Sequence, residues 1–191
     1  MTSAHDAGVK SDEVRALKAL RKKGIMPARV YAMLDVLDPT NDEFIEDGII
    51  TDEKAMMEIR SVKILSDGTM GSRGAAMMED FSDMPGHRGD MLFTAEELEH
   101  HMVRAMAHGF QVNAHAIGDR ANRVVLDMFE KLQSGSLRSK MRHRIEHAQI
   151  LDAADINRFK ELGISASIHP THATSDKGMV ETRIGQARID E

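Results

Sequence analysis

The chain has 191 residues, of which 41% are hydrophobic and 29% charged, a balance typical of one globular domain. Its formal net charge of -6 argues against nucleic acid as a partner, because phosphate binding needs a clustered basic surface. The sequence contains no cysteine, which excludes disulfides and thiolate metal sites; a bound metal would need nitrogen and oxygen ligands, which the ten histidines could supply.

Periodic patterns in the first third predict strands around one helix. Residues 2–8 resemble the end of a strand. Residues 11–23 have helical spacing, with Ser11 as the expected N-cap, acidic residues in the first turn and a glycine after the last. Short apolar, β-rich runs at 29–34 and 61–65 predict two further strands.

Helices and strands alternate more regularly in the second half. Thr94 and Glu97 form a capping box at the start of a predicted helix over 94–108. The segments that follow are a strand at 110–114, a helix at 120–133, a strand at 142–146, a helix at 153–162 and a strand at 164–168. Such alternation predicts an α/β fold with a parallel sheet, as either an open doubly wound sheet or a barrel.

Two further segments lack regular periodicity. Residues 67–90 are rich in glycine and predict a long loop, a feature that is often functional in compact domains. Residues 181–191 are polar, with little to bury. No apolar run approaches the roughly 20 residues of a membrane span, and the first residues lack a secretory signal pattern. We therefore expect no membrane partner and, by default, a cytoplasmic location.

Lys63 lies inside an apolar strand pattern, Val62-Lys63-Ile64-Leu65. Burial would favour a neutral, nucleophilic amine, which could form a Schiff base or react with carbon dioxide to give a carbamate. The alternative is an edge-strand lysine whose stem covers apolar surface while its ammonium group reaches water. The strand pattern alone favours this alternative.

Two histidines end predicted strands. His115 precedes a glycine turn into a helix, and His147 follows Glu146. Each position suits a metal ligand or proton transfer, but also a hydrogen-bonded core histidine or a strand end held by salt bridges. Carboxyl ends of parallel strands meet at one rim, so Lys63, His115 and His147 are expected to converge around zinc or a similar divalent metal. A carbamate on Lys63 would bridge two such ions, which activate a shared water.

At these residues the sequence resembles the amidohydrolase superfamily. The resemblance is to amidohydrolase family 3, in the YtcJ-like branch that contains N-substituted formamide deformylases. The matching segments occur in family order and are residues 2–8, 62–68, 71–73, 113–119, 143–149 and 169–172. Together they extend over nearly the whole chain, which makes their combination far more specific than any one of them.

The resemblance implies a metal-dependent (β/α)8 TIM barrel that hydrolyses carbon–nitrogen bonds other than peptide bonds. Its substrate would be a small amide-type molecule such as an amide or formamide. Lys63 would match the lysine of the fourth strand that is carboxylated by carbon dioxide. His115 and His147 would match the metal-binding histidines of the fifth and sixth strands, around one or two divalent ions, with zinc expected.

The resemblance also implies substrate contacts. The loop from Asp67 to Arg73 would lie over the mouth of the site, so both residues are predicted to bind substrate. His172 follows the seventh strand, where it could contact substrate or be a solvated loop histidine.

The sequence departs from the family pattern in three places. The His-x-His pair of the first strand and the catalytic aspartate of the eighth have no counterpart, and the usual glutamine before Pro170 is His169. We therefore expect residues 1–191 to be a single incomplete barrel domain, from about the end of strand 2 to strand 7, without the first and last strands. Such a chain should bind metal weakly, have low or no activity and self-associate through its open strand edges.

Two alternatives stay open. The chain could be a catalytically dead, truncated remnant that acts, if at all, as a binding module. It could instead be an open-sheet lyase that uses Lys63 as a Schiff base, although nothing besides Lys63 supports that hypothesis.

Overall fold

The computed structural model describes residues 1–52, 54, 56–135, 137 and 141–189. These residues divide into two compact units. The first contains residues from Met1–Ile64 and His100–Asn113, with Met141. The second contains residues from Leu65–Glu99, Ala114–Arg138 and Arg142–Glu191. That residues 1–191 form one incomplete barrel domain stays a prediction.

The first unit is built on a mainly parallel sheet. Its elements are β1 (Ser3–Val9), α1 (Ser11–Lys23), β2 (Arg29–Asp35), α2 (Asn41–Asp47), β3 (Ile50–Thr51) and β4 (Met57–Leu65). β1, β2 and β4 pair in parallel in that order, while the two-residue β3 pairs antiparallel with β4. Ile59, Val62 and Ile64 of β4 are fully buried, as expected for a strand covered on both faces.

Two elements span both units, and the remaining ones belong to the second. These two elements, α3 (Ala95–Ala107) and β5 (Gln111–Ala116), each contain residues assigned to both units. The others are α4 (Asp119–Ser134), β6 (Arg144–His147), α5 (Ala153–Leu162), β7 (Ser165–Ser167), α6 (His172–Ser175), α7 (Lys177–Ile184) and a 3₁₀ turn at Gln186–Arg188. β6 and β7 are parallel neighbours. None of the described helices is both long and apolar enough to cross a membrane.

The α/β class and most long elements agree with the sequence analysis. α1 and α5 have the predicted bounds, and the capping box of α3 forms, with Thr94 N–H donating to Glu97 Oε2 at 2.9 Å. The N-cap of α1 is Lys10 and not Ser11: the Lys10 N–H donates to Glu13 Oε2 at 2.8 Å, and Ser11 is the first helical residue, whose amide donates to Asp38 Oδ2 at 2.7 Å. β4 begins four residues earlier than predicted, and the short elements α2, β3, α6 and α7 were not predicted.

The segment between β4 and α3 is a long loop, as predicted, but it carries a core of its own. Apart from two isolated bridges it contains no strand or helix. Its apolar side chains form a buried cluster with residues from three later segments: Met70, Ala75, Met77, Phe81, Ile117, Ile150 and Ile184. Ile184 belongs to the polar end segment that was expected to bury little. The loop is therefore held in place by its own buried apolar side chains.

A buried histidine lies just before β6. His143 is fully shielded from solvent, and its ring stacks on Phe129 of α4 with centroids 5.2 Å apart. Burial lowers the pKa of His143 to about 4, because the charged imidazolium loses its hydration. In the unfolded chain the same ring should titrate near its ordinary value of about 6.5.

We expect acid to destabilise the protein through His143. Between about pH 6.5 and 4 the unfolded chain takes up a proton at this residue that the folded chain does not, so stability falls as the pH falls. Between pH 7.5 and pH 5.0, the free energy of unfolding measured in urea should fall by about 2 kcal/mol more in the wild type than in His143→Gln. The exposed His100→Gln is the control and should behave like the wild type. Equal losses in His143→Gln and wild type would show that the ring is protonated in the folded state.

Candidate metal centre

His115 lies near the carboxyl end of β5 and is almost completely buried, with 7% exposure. Its Nε2 atom is 3.3 Å from Asp67 Oδ1 and 3.4 Å from the Gly68 carbonyl oxygen. A proton on Nε2 would therefore point at acceptors, leaving a lone pair on Nδ1. Carboxylates fix the ring and tautomer of metal-binding histidines in this way.

The Asp67 carboxylate also anchors the surrounding loop. Its side chain is completely buried and accepts three backbone N–H groups: Ile117 on Oδ1 at 3.0 Å, and Gly118 and Ala76 on Oδ2, both at 2.9 Å. One anion thus ties the long loop to the turn between β5 and α4. The contact is close: a Cβ at Gly118 would lie 2.0 Å from the Ala76 carbonyl oxygen.

His147 ends β6 with an unusual backbone. Its φ is 77°, and that of Ala148 is 45°, both in the left-handed region that non-glycine residues seldom adopt. The next residues are held by hydrogen bonds, including Ile150 N–H to the Ile117 carbonyl oxygen at 2.9 Å. The His147 ring stands edge-on to His115, with centroids 4.6 Å apart. Backbone strain of this kind is often concentrated at functional sites.

Two more histidines, which follow β7, join the same group. The His147 ring lies 4.6 Å from that of exposed His169 and 5.5 Å from that of half-buried His172, measured between centroids. One ligand nitrogen from each of these three residues lies within 4.8 Å of the other two. The structure thus brings together His147, a predicted metal ligand, and His172, a predicted substrate contact. The third member of the group is His169, which the sequence analysis gives only as a departure from the family pattern.

A cavity opens beside the histidines. It has a volume of about 350 Å³ and is bordered by loop, strand-end and helix residues: Thr69, Met70, Gly71, His115, Ile117, His147, Gln149, His172, Ser175, Asp176 and Met179. A second cavity of about 650 Å³ shares four of them, His147, Gln149, His172 and Asp176. The Thr69–Gly71 part of the loop therefore borders the space next to His115 and His147.

Lys63 lies in the first unit, in β4, and is 8% exposed. Its Cα pairs in register with Asp35 at the end of β2. Its convergence with His115 and His147 stays a prediction. The low exposure nevertheless fits a buried amine better than an edge lysine that reaches water.

Two other predicted polar residues are held by ion pairs. Arg73 forms a bidentate pair with Asp83, at 3.0 and 2.9 Å, and Arg183 pairs with the same carboxylate. The hydrogen bonds from Arg73, followed by those from Arg183, hold the pKa of Asp83 below its usual range. Glu146 pairs with Arg144 at 2.8 Å, as the salt-bridge interpretation of this strand end proposed. The substrate contacts of Asp67, Arg73 and His172 stay predictions.

His169 is a potential metal ligand that the strand pattern did not single out. The available signal was the spacing His169-Pro170-Thr171-His172, since a short turn can bring two such rings together. In the structure the His172 N–H donates to the His169 carbonyl oxygen at 3.0 Å and closes this turn. The donor set of the whole group is imidazole, with Asp67 behind His115. Imidazole nitrogens suit zinc and its neighbours, so the residues present fit a divalent transition metal.

The sequence matches known proteins over all or much of its length. The profile described as "Amidohydrolase family" matches residues 1–191. Protein LONG AFTER FAR-RED 3 of Arabidopsis thaliana is 39% identical over 127 residues, which cover 66% of this chain and 22% of that protein. Putative amidohydrolase YtcJ of Bacillus subtilis (strain 168) is 33% identical over 133 residues, which cover 70% of this chain and 25% of that protein.

Solved structures agree with these matches. The crystal structure of an uncharacterized metal-dependent hydrolase from Pyrococcus horikoshii OT3 superposes with a TM-score of 0.88 and 29% sequence identity. The match covers 100% of this chain and 37% of that one. The chain spans a quarter or less of the length of the two curated relatives.

We expect Asp67→Asn to destabilise the protein. An amide keeps one acceptor oxygen, so at least one of the buried N–H groups of Ala76, Ile117 and Gly118 loses its partner, at about 2 kcal/mol. The free energy of unfolding in urea measures this loss. Asp90→Asn, an exposed carboxylate on the same loop, is the matched control and should change stability little. Equal stability of the two variants would rule out the anchoring role of Asp67.

Proposed function

This chain belongs to the amidohydrolase family, and from that premise we propose that it is part of a metal-dependent hydrolase. The proposed reaction is hydrolysis of carbon–nitrogen bonds other than peptide bonds, in small amides or formamides. Its sheet would form part of a (β/α)8 barrel. The proposal is supported by the match to the family over residues 1–191 and by the likeness to a metal-dependent hydrolase structure.

One observation carries the proposal: the rings of His115 and His147, at the ends of neighbouring strands, lie 4.6 Å apart beside a cavity. These rings would hold one or two divalent ions, with zinc as the best fit for imidazole donors. When bound, such an ion lowers the pKa of a water molecule and polarises a substrate carbonyl. Asp67 would keep the His115 ring oriented, which is why it is proposed as a positioning residue as well as a substrate contact.

Lys63 is proposed as the bridging ligand after carboxylation. Its neutral amine would attack the carbon of carbon dioxide, forming a new N–C bond and releasing one proton, to give a carbamate. The low exposure of Lys63 supports this proposal, because it fits an internal ligand better than a lysine whose ammonium group reaches water. The carbamate oxygens would then provide the anionic ligands that histidines cannot.

The substrate is proposed to enter the cavity of about 350 Å³ beside the histidines. Apolar side chains of Met70, Ile117 and Met179 border it, so it suits a small molecule with an apolar substituent on the amide. His172 borders the same cavity and could contact the substrate. We propose that this chain alone turns substrate over slowly or not at all, since the sequence has no counterpart of the family's eighth-strand aspartate.

We expect the zinc affinity of the purified chain to depend on bicarbonate. Bicarbonate should strengthen zinc binding about tenfold, by supplying carbon dioxide for Lys63. Lys63→Arg and His115→Ala should abolish this gain, because one variant cannot form the carbamate and the other lacks a ligand. Equilibrium dialysis with elemental analysis measures the bound zinc, and formamide hydrolysis, where detected, should disappear in the same variants.

The control for these variants is His108→Gln, an exposed histidine that should keep the bicarbonate response. A wild-type chain whose zinc binding ignores bicarbonate would contradict the proposed Lys63 carbamate. A response that survives in both Lys63→Arg and His115→Ala would contradict the proposed ligand set.

The second candidate function is a binding module, favoured by the edge of the first unit. Among the described residues β1 pairs on one side only, with β2, and most of its residues are exposed. Such an edge can pair with another strand.

We expect the chain to self-associate, with a mass that rises with concentration in size-exclusion chromatography with light scattering. Replacing His5 of β1 with proline should shift the equilibrium toward monomer, because proline removes one N–H donor from the open side of the strand. The Arg29 N–H donates to the Thr2 carbonyl oxygen, so the backbone groups of residues 2, 4 and 6 face β2 and those of residues 3 and 5 face the open edge. A wild-type chain that is monomeric at all concentrations would exclude this mode of association.

A further inference from the structure

We propose that His147, His169 and His172 form a three-histidine site that binds a divalent transition metal without Lys63 or His115. This inference goes beyond the proposed function: it shares His147 with the proposed ligand set and gives His172, proposed there as a substrate contact, a second role. Each of these three described residues offers one ligand nitrogen, and the three nitrogens lie within 4.8 Å of one another.

The donor distances are close to those of a bound ion. Zinc–nitrogen bonds of about 2.0–2.1 Å in a tetrahedral site put two ligand nitrogens about 3.3 Å apart. The observed limit of 4.8 Å therefore needs each ring to turn by a modest amount toward the centre. His169 is exposed and His172 half-buried, so their rings can turn without disturbing the core.

The local backbone holds the three ligands on one side of the site. His147 is fixed by β6 and by its left-handed conformation, with φ 77°. His169 and His172 are joined by a turn in which the His172 N–H donates to the His169 carbonyl oxygen at 3.0 Å. Two ligands joined by one turn and a third at the end of the neighbouring strand are therefore already close together.

The surroundings leave room for a fourth ligand. The cavity of about 650 Å³ borders all three histidines, and Gln149 and Asp176 also border it. The Asp176 carboxylate accepts a hydrogen bond from Gln149 Nε2 at 2.7 Å, so this acidic group is held close to the site. Three neutral imidazoles with an open fourth position suit zinc, copper or nickel and disfavour magnesium and calcium, which prefer oxygen ligands.

Titration calorimetry of the full chain with zinc chloride, in bicarbonate-free buffer, tests the proposal. The wild type should bind one zinc ion, and His169→Gln and His172→Asn should each weaken that binding at least tenfold. Lys63→Arg and His115→Ala should bind this ion as the wild type does. The matched control is His100→Gln, which removes one ring from the pair formed by exposed His100 and half-buried His101, whose centroids lie 5.5 Å apart.

Cobalt provides a second readout that separates the site from a general loss of folding. The wild type with one equivalent of cobalt should show the intense visible absorption of a low-coordinate ion, and His169→Gln should lose it while keeping its circular dichroism spectrum. Unchanged zinc affinity in His169→Gln, or an equal loss in His100→Gln, would overturn the three-histidine site. Loss of the bicarbonate response alone would overturn the Lys63 proposal and leave this one standing.

Discussion

The arrangement of the candidate site depends on one buried anion, the carboxylate of Asp67. A charge removed from water must be compensated, and here three backbone N–H groups and the His115 ring surround it. The same contacts bind the long loop to the turn after β5, so loop position and ring orientation are set together. The hydrophobic cluster around Phe81 then holds the rest of the loop in place.

The fold was predictable where local rules act alone. Hydrophobic periodicity and capping residues identify α1, α3 and α5 closely, because those signals lie within the helix itself. The N-cap of α1 was misplaced by one residue, because the N–H of Lys10, a residue type that N-caps do not favour, donates to the Glu13 carboxylate. The short elements α2 and β3 are stabilised by packing and pairing with other segments, which periodicity over a few residues does not reveal.

The site was predictable in part, for a similar reason. His115 and His147 end predicted strands, and parallel sheets place functional groups at those ends. The addition of His169 and His172 depends on a turn after β7, which the spacing of these two histidines indicates, and on the left-handed backbone of His147, which a single sequence does not encode recognisably. Likewise, the pairing of Arg73 with Asp83 and Arg183 joins residues that are far apart in the chain.

The most direct test of the central claim, that the ends of β6 and its neighbours hold a divalent metal, is the position of zinc itself. A crystal of the zinc-loaded chain, measured on both sides of the zinc absorption edge, would locate the ion by anomalous scattering. We predict a peak about 2.1 Å from a ring nitrogen of His147, with further imidazole ligands from His115 or from His169 and His172. Zinc bound only elsewhere, for example between His100 and His101, would contradict the account.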